Sequence, residues 1–325
     1  MSAPNSIQAR VEQFLVERRG LGFSIRNDGY ILRSFARHIH ATGHRGALTM
    51  ELMAEWARRD SHGSNDPLTW ARRLKKLRTF LRWLQQFDPR TEVPDDSIFG
   101  RLPERQAPHI FSETEIVDLL AAARRLGPAP GLRGAVYETL FGLIAATGMR
   151  IGEALSLCNG DVDLKDGMLT IRRTKFGKSR QIPMHPTTVD ALRRYRWLRD
   201  LAEGASADDG PFFVGTRGRR RGLPLGTHQV HCVFGNLRQQ LGWGNRGAHH
   251  APRIHDLRHT FVVHRIVLWQ AQGVDIDQAM LSLSTYVGHA MVTNTYWYLS
   301  AVPELMALAA ERFASFAGRR EAQDA

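Results

Sequence analysis

The chain of 325 residues holds only two cysteines, Cys158 and Cys232. They stand 74 positions apart with no C-x-x-C pattern, which excludes a disulfide framework and a cysteine-based zinc site and leaves two buried thiols as the expectation. Long apolar runs are missing as well: no stretch of about 18 apolar residues, enough to cross a bilayer, occurs. The opening Met1-Ser2-Ala3-Pro4-Asn5 has no basic segment followed by an apolar one, so the expected location is the cytoplasm, on the nucleoid, away from any membrane. Internal repeats are absent, and so are low-complexity tracts apart from one arginine cluster. Acidic residues are the scarcer charge, 32 against 44 Lys and Arg, giving a net charge of +12 and a pI near 10.4. Clustered cations of this kind are the footprint of phosphate-backbone binding, although an arginine-rich composition alone produces the same excess.

What is present reads as two soluble, mainly helical domains. Residues 6–88 show apolar positions at helical spacing in Val11-Phe14-Leu15, Ile31-Leu32-Phe35-Ile39 and Leu74-Leu77-Phe80-Leu81-Leu84, with breaks at Gly20–Gly22, Gly43–Gly46 and His62–Pro67. This helical bundle carries 15 Lys or Arg against 8 Asp or Glu. Arg72, Arg73, Lys75, Lys76, Arg78 and Arg82 are together expected to form a DNA-facing surface, while any one of them alone reads as a solvated helix position. Residues 89–110, with Pro89, Pro94, Gly100, Pro103 and Pro108, read as an interdomain linker. Ser112 and Glu115 then form a capping box that opens the second domain, residues 111–325. That domain is helical except for Asp161–Pro183, where turns at Asp166-Gly167 and Phe176-Gly177 separate alternating segments that predict a small antiparallel β-meander. Arg217–Arg221 is a loop with four arginines, Thr227–Leu241 a helix, and 302–317 an apolar-striped helix suited to a partner subunit.

Breaking a phosphodiester without metal needs a nucleophile, cationic donors on the nonbridging oxygens and an acid for the leaving 5′-oxygen. Gly148 ends the helix of Val136, Leu140, Leu143 and Ile144, so Arg150 starts the next helix beside a turn, with Glu153 placed to orient its guanidinium. An arginine at a helix junction is by itself ordinarily a structural ion-pair partner. Lys175 sits in the Thr174–Gly177 turn, where a lysine is by default solvent-exposed, and Lys178 is a competing candidate. His255 and Arg258, three apart on a helix, project to one side and suit a shared phosphate. His255 and His259, four apart with His249, His250 and His264 nearby, also fit a two-histidine metal site, yet no carboxylate or cysteine completes a familiar set.

Taken together, Thr147-Gly148-Met149-Arg150-Ile151-Gly152-Glu153-Ala154-Leu155, then Thr174-Lys175 with Arg180-Gln181-Ile182-Pro183, then His255-Asp256-Leu257-Arg258-His259-Thr260-Phe261, then Val287-Gly288-His289 and Tyr298, resemble the tyrosine recombinase (phage integrase) family over residues 111–300. The resemblance implies a SAM-like core-binding bundle followed by an α+β catalytic domain. It implies that Arg150 and Arg258 clamp the scissile phosphate, that His255 and His289 donate hydrogen bonds or shuttle protons, that Lys175 is the general acid and that Tyr298 attacks to give a 3′-phosphotyrosyl link. Neither metal nor ATP is then required. The implied partners are double-stranded recombination sites, bound as a dimer per site and a homo-tetramer on two sites, with a partner recombinase or accessory protein as an addition. Arg180, Arg219 and Arg220 join the expected DNA-binding set. Tyr286 and Tyr296 flank the expected nucleophile, and the 31-position interval from Arg258 to His289 contains an insertion around 270–284 with no assigned role. Two other readings use the same residues: an accessory DNA-binding protein of this fold that does not cut, and a type IB topoisomerase acting on one duplex. A metal-dependent nuclease is a third.

Overall fold

A computed structural model describes residues 6–23, 25–59, 63–103, 106–127, 131–172, 179–245 and 251–301. Lys175, Lys178, the Phe176-Gly177 turn, His249, His250 and the helix expected over 302–317 lie outside the described residues. The chain divides into two compact units, Met1–Arg105 and Gln106–Ala325.

The first unit is a four-helix bundle of α1 (Ile7–Gly20), α2 (Arg26–Ala41), α3 (Met50–Arg58) and α4 (Pro67–Leu84). Short polar side chains start three of them: Ser6, Thr49 and Asp66 each accept a backbone N–H of the first turn, and Pro67 supplies a preset φ at the start of α4. The expected apolar stripes face one core, in which Phe14 meets Phe80 edge-on at 5.5 Å and Phe35 meets Trp56 at 5.3 Å. Much of the stretch expected to be a linker belongs to this unit. Val93, Ile98 and Phe99 pack on the bundle core, Glu92 N–H donates to Leu48 O at 2.9 Å, and Arg78 Nε donates to Pro94 O at 2.7 Å. Three apolar side chains with a surface to bury outweigh the loop-forming prolines around them.

The second unit opens as expected. Ser112 Oγ accepts from Glu115 N–H at 3.1 Å while the Glu115 carboxylate accepts from Ser112 N–H at 2.9 Å. Behind it come α5 (Glu113–Arg124), α6 (Leu132–Thr147) and the short α7 (Ile151–Leu155). A three-stranded antiparallel sheet follows, β1 (Val162–Asp163), β2 (Met168–Ile171) and β3 (Arg180–Pro183), in the order β1-β2-β3. Leu169 pairs with both Val162 and Ile182, so the apolar residues of all three strands line the inner face. The remaining helices are α8 (Pro186–Glu203), α9 (Thr227–Gln240), α10 (Ile254–Ala271), α11 (Ile276–Val287) and α12 (Thr293–Ala301). Residues 270–284, unassigned from sequence, complete α10, turn at Gly273 and form most of α11, whose Met280, Leu283 and Val287 share a buried cluster with Val262, Val263, Ile266 and Tyr298. The thiols depart from expectation, since Cys158 is half-buried and Cys232 is exposed on α9. Among the described residues no helix is long and apolar enough to cross a membrane.

Candidate active site

Two helix ends build the centre of the site. α6 stops at Gly148 (φ 62°) and α11 stops at Gly288 (φ 70°), both in the left-handed region that glycine enters without steric penalty. A Cβ at Gly148 would collide with the Phe261 ring, and one at Gly288 with the Arg180 guanidinium. Each turn presents its carbonyl to an arginine of another element, Gly148 to Arg258 on α10 and Gly288 to Arg150 at the start of α7. Arg258 Nη1 donates to Gly148 O at 2.7 Å and to Val287 O at 2.7 Å, while Arg150 Nη2 donates to Gly288 O at 2.8 Å. These cross-ties hold two cations together that would otherwise repel. Arg258 is 1% exposed, and burial followed by the Arg150 charge lowers its pKa to about 10, which leaves it protonated at neutral pH. Its Nη2 is buried without a hydrogen-bond acceptor among the described residues.

Glu153 supplies the compensating charge. One carboxylate oxygen accepts Arg150 Nη1 at 2.8 Å and the other accepts Arg150 N–H at 2.9 Å, the orientation expected from sequence. Burial pushes the carboxyl upward, but Arg180 and Arg150 outweigh it and hold Glu153 below its ordinary pKa. Arg180, expected on the DNA-facing surface, is turned inward. It donates to both Glu153 oxygens at 3.2 and 2.9 Å, to Tyr286 O at 2.9 Å and to Val287 O at 3.2 Å, with 11% of its side chain exposed. The signal for this was available: Arg180 lies two residues before Ile182 on β3 and so points to the same, inner face. A cation on an apolar face implies an internal partner.

The histidines and the tyrosine close the site. His255, one turn before Arg258, is exposed, and its pKa is lowered to about 4, first by partial desolvation and then by Arg258. The imidazole is therefore neutral at pH 7. His289 Nδ1 lies 2.6 Å from Thr295 Oγ1, which fixes the ring against α12, and the ring lies parallel to that of Tyr298 at 6.4 Å. Tyr298 is 1% exposed, and its hydroxyl lies 2.5 Å from Nδ1 of His259, a residue the sequence flagged only for metal spacing. The flanking tyrosines point elsewhere, Tyr286 Oη donating to Pro183 O at 3.1 Å and Tyr296 Oη to an Asp277 oxygen at 3.3 Å. Arg150, Arg258, His255, His289 and Tyr298 are thus placed on the abutting ends of α6–α7, α10, α11 and α12. No set of three His, Cys, Asp or Glu side chains converges among the described residues.

The expected DNA-binding residues divide by burial. On α4, Arg72, Lys75, Lys76 and Arg82 form an exposed stripe, with Lys76 paired to Asp28 at 2.9 Å. Arg73 and Arg78 are turned toward their own unit. Arg73 lies 4.4 Å over the Trp56 ring and donates to Trp56 O, and Arg78 donates to Pro94 O and Asp96. Arg219 and Arg220 are exposed in a short helical turn whose flanking arginines are tied down, Arg217 to Gly127 O at 2.9 Å and Arg221 to Glu203 at 2.9 Å.

Comparison with known proteins agrees with this geometry. Residues 109–304 match the phage integrase family. The chain is 37% identical to the integrase/recombinase y4rB of Sinorhizobium fredii over 95% of this chain and 97% of that one, and 28% identical to the tyrosine recombinase XerC of Chromobacterium violaceum over 80% and 78%. In fold it is similar to the Tn1549 transposon integrase in complex with transposon right end DNA (TM-score 0.61, 18% identity, 95% and 99% coverage) and to lambda integrase, solved as a tetramer bound to a Holliday junction (TM-score 0.56, 18% identity, 90% and 79%). A chain so related is a DNA-breaking and rejoining enzyme, and it belongs to the tyrosine recombinase (phage integrase) family.

Proposed function

We propose that this recombinase cuts each strand by attack of the Tyr298 hydroxyl on a phosphodiester held between Arg150 and Arg258, leaving a 3′-phosphotyrosyl link and a free 5′-hydroxyl. The observation that carries this reading is the buried Arg258 Nη2 with no acceptor among the described residues. Leaving a charged donor unsatisfied costs about 1–3 kcal/mol or more, and a nonbridging phosphate oxygen removes that cost while the donor stabilises the charge that grows in the transition state. Neutral His255 offers that oxygen a hydrogen bond without adding a further positive charge, and Lys175 protonates the departing 5′-oxygen. The phosphotyrosyl link retains the energy of the bond it replaces, so the reverse attack by a 5′-hydroxyl rejoins strands without ATP or metal.

The substrate is a pair of double-stranded recombination sites, with two protomers on each and four in the exchanging complex. The lambda integrase dimer on a core site and tetramer on a four-way junction support this assembly by likeness of fold. Exposed Arg72, Lys75, Arg82, Arg219 and Arg220 are the proposed backbone contacts. The test is trapping on a nicked suicide substrate in the presence of a chelator. A denaturation-resistant protein–DNA adduct from the wild type, absent in Tyr298→Phe at equal DNA binding, is the expected result. An adduct that survives in Tyr298→Phe would falsify the assignment of the nucleophile.

A further inference from the structure

We propose that His259 is the base that takes the phenolic proton of Tyr298 during attack; the proposal rests on the reading of Tyr298 as nucleophile. The hydroxyl is 2.5 Å from His259 Nδ1, and both side chains are sealed from solvent, Tyr298 at 1% and His259 at 4% exposure. A nucleophile buried to that degree has no bulk water at its oxygen, so the proton must leave to a protein group within hydrogen-bond reach. Nδ1 of His289 is directed at Thr295, at 2.6 Å, and the His255 ring meets the His259 ring edge-on at 4.7 Å between centroids. His259 is an imidazole in hydrogen-bond contact with the reacting oxygen. Its ring is fixed by the middle of α10 and by His255 and Trp297 packed around it, the latter at 6.4 Å between centroids.

The step balances as follows. With the imidazole protonated at Nε2, Nδ1 accepts the hydroxyl hydrogen; this tautomer is an assignment that the short contact requires of a base. As the Oη–P bond forms, the proton passes from Oη to Nδ1, the P–O5′ bond breaks, and the 5′-oxygen takes a proton from the general acid. In rejoining, the 5′-hydroxyl returns its proton to the deprotonated general acid as it attacks phosphorus, the Oη–P bond breaks, and the imidazolium returns its proton to Oη. His259 is unchanged after a complete cycle.

The experiment measures single-turnover adduct formation at saturating protein, on a normal nicked substrate and on one with sulfur in place of the bridging 5′-oxygen. His259→Asn keeps an amide oxygen near the Nδ1 position, so it can still accept the hydrogen bond, but it is no base. The expected result is a fall of about 10²–10⁴-fold with DNA binding unchanged. Sulfur leaves without protonation, so Lys175→Ala should regain rate on the sulfur substrate while His259→Asn stays slow. Retained DNA affinity shows that a slow variant is folded, and His259→Gln takes its place if Asn fails that check. A His259→Asn rate within twofold of wild type, a rate above wild type, or full rescue by sulfur each overturns the proposal. A wild type that forms no adduct on either substrate instead overturns the tyrosine mechanism and leaves the role of His259 without a reaction to serve.

Discussion

The two units of this recombinase are both rich in arginine and use it in opposite ways. In the catalytic unit Arg150, Arg180 and Arg258 are tethered to backbone carbonyls and to one carboxylate, so their donors are fixed before any substrate arrives. On α4 of the bundle, Arg72, Lys75 and Arg82 stand exposed. A fixed cation suits a charge that develops for an instant at one atom, because no reorganisation is needed when it appears. An exposed cation on a long side chain suits a phosphate backbone that must be met at many registers, where the gain comes from counterion release. Arg73 and Arg78 show that membership of a basic helix does not place a residue in the second class, since both are held within their own unit.

The largest effect should come from loosening the tethered set. Arg258→Lys keeps the charge but not the fork that reaches Gly148 O and Val287 O while presenting a further donor, so cleavage should fall about 10²–10³-fold at unchanged DNA affinity. Single-turnover cleavage measures this, and near-normal rates would show that the fork is dispensable. A smaller effect is expected from the exposed set. Removing Arg72, Lys75 and Arg82 together should flatten the dependence of log affinity on log salt by about 2 to 3 and leave the cleavage rate of the saturated complex within about twofold. Arg78→Ala, tethered to Pro94 and Asp96, is the control that should leave the slope alone; a change there equal to that of an exposed cation would erase the distinction drawn here. The smallest effect concerns the charge that desolvation, and after it the tethered cluster, suppresses on His255. His255 is held to about 4 in the folded chain against an ordinary 6.5, so below pH 6.5 the unfolded chain binds a proton that the folded one refuses. Stability therefore falls as pH drops from 6.5 toward 4. His255→Asn should make that fall shallower by the contribution of one group, read from urea midpoints across the window, and an identical slope would place the ordinary pKa back on His255.

How much was legible beforehand follows the range of each interaction. The capping box at Ser112 and Glu115, the three apolar stripes read in the bundle and the meander up to Gly167 depend on neighbours within a few positions, and they formed as read. Arg150 with Glu153 is also local, and the carboxylate holds the guanidinium as expected. Contacts across long intervals were not legible. Residues 270–284 had no role in the sequence because they act as a support: Met280 and Leu283 join a buried cluster, and the helix they form most of, α11, ends by delivering the carbonyls of Tyr286 and Val287 and the Gly288 turn to three arginines. A carbonyl has no residue type, so no motif announces it. Residues 89–99 misled for a related reason, their prolines being visible and the surface that Val93, Ile98 and Phe99 cover lying on the bundle helices, with Trp70 meeting the Phe99 ring from 29 positions away.

The sequence by itself determined the chemistry on offer: a basic helical bundle, a mixed second domain, and arginines, histidines and a tyrosine in the order and spacing of the tyrosine recombinases. Those are properties of residue type and short-range periodicity. Tertiary structure alone decided which cations are tethered and which are exposed, which imidazole meets the tyrosine hydroxyl, and why glycine stands at both 148 and 288. Each of these depends on separate segments, as much as 138 positions apart for Arg150 and Gly288, or on α10 meeting α12, being packed so closely that a guanidinium, a carbonyl or a ring fills the gap between them.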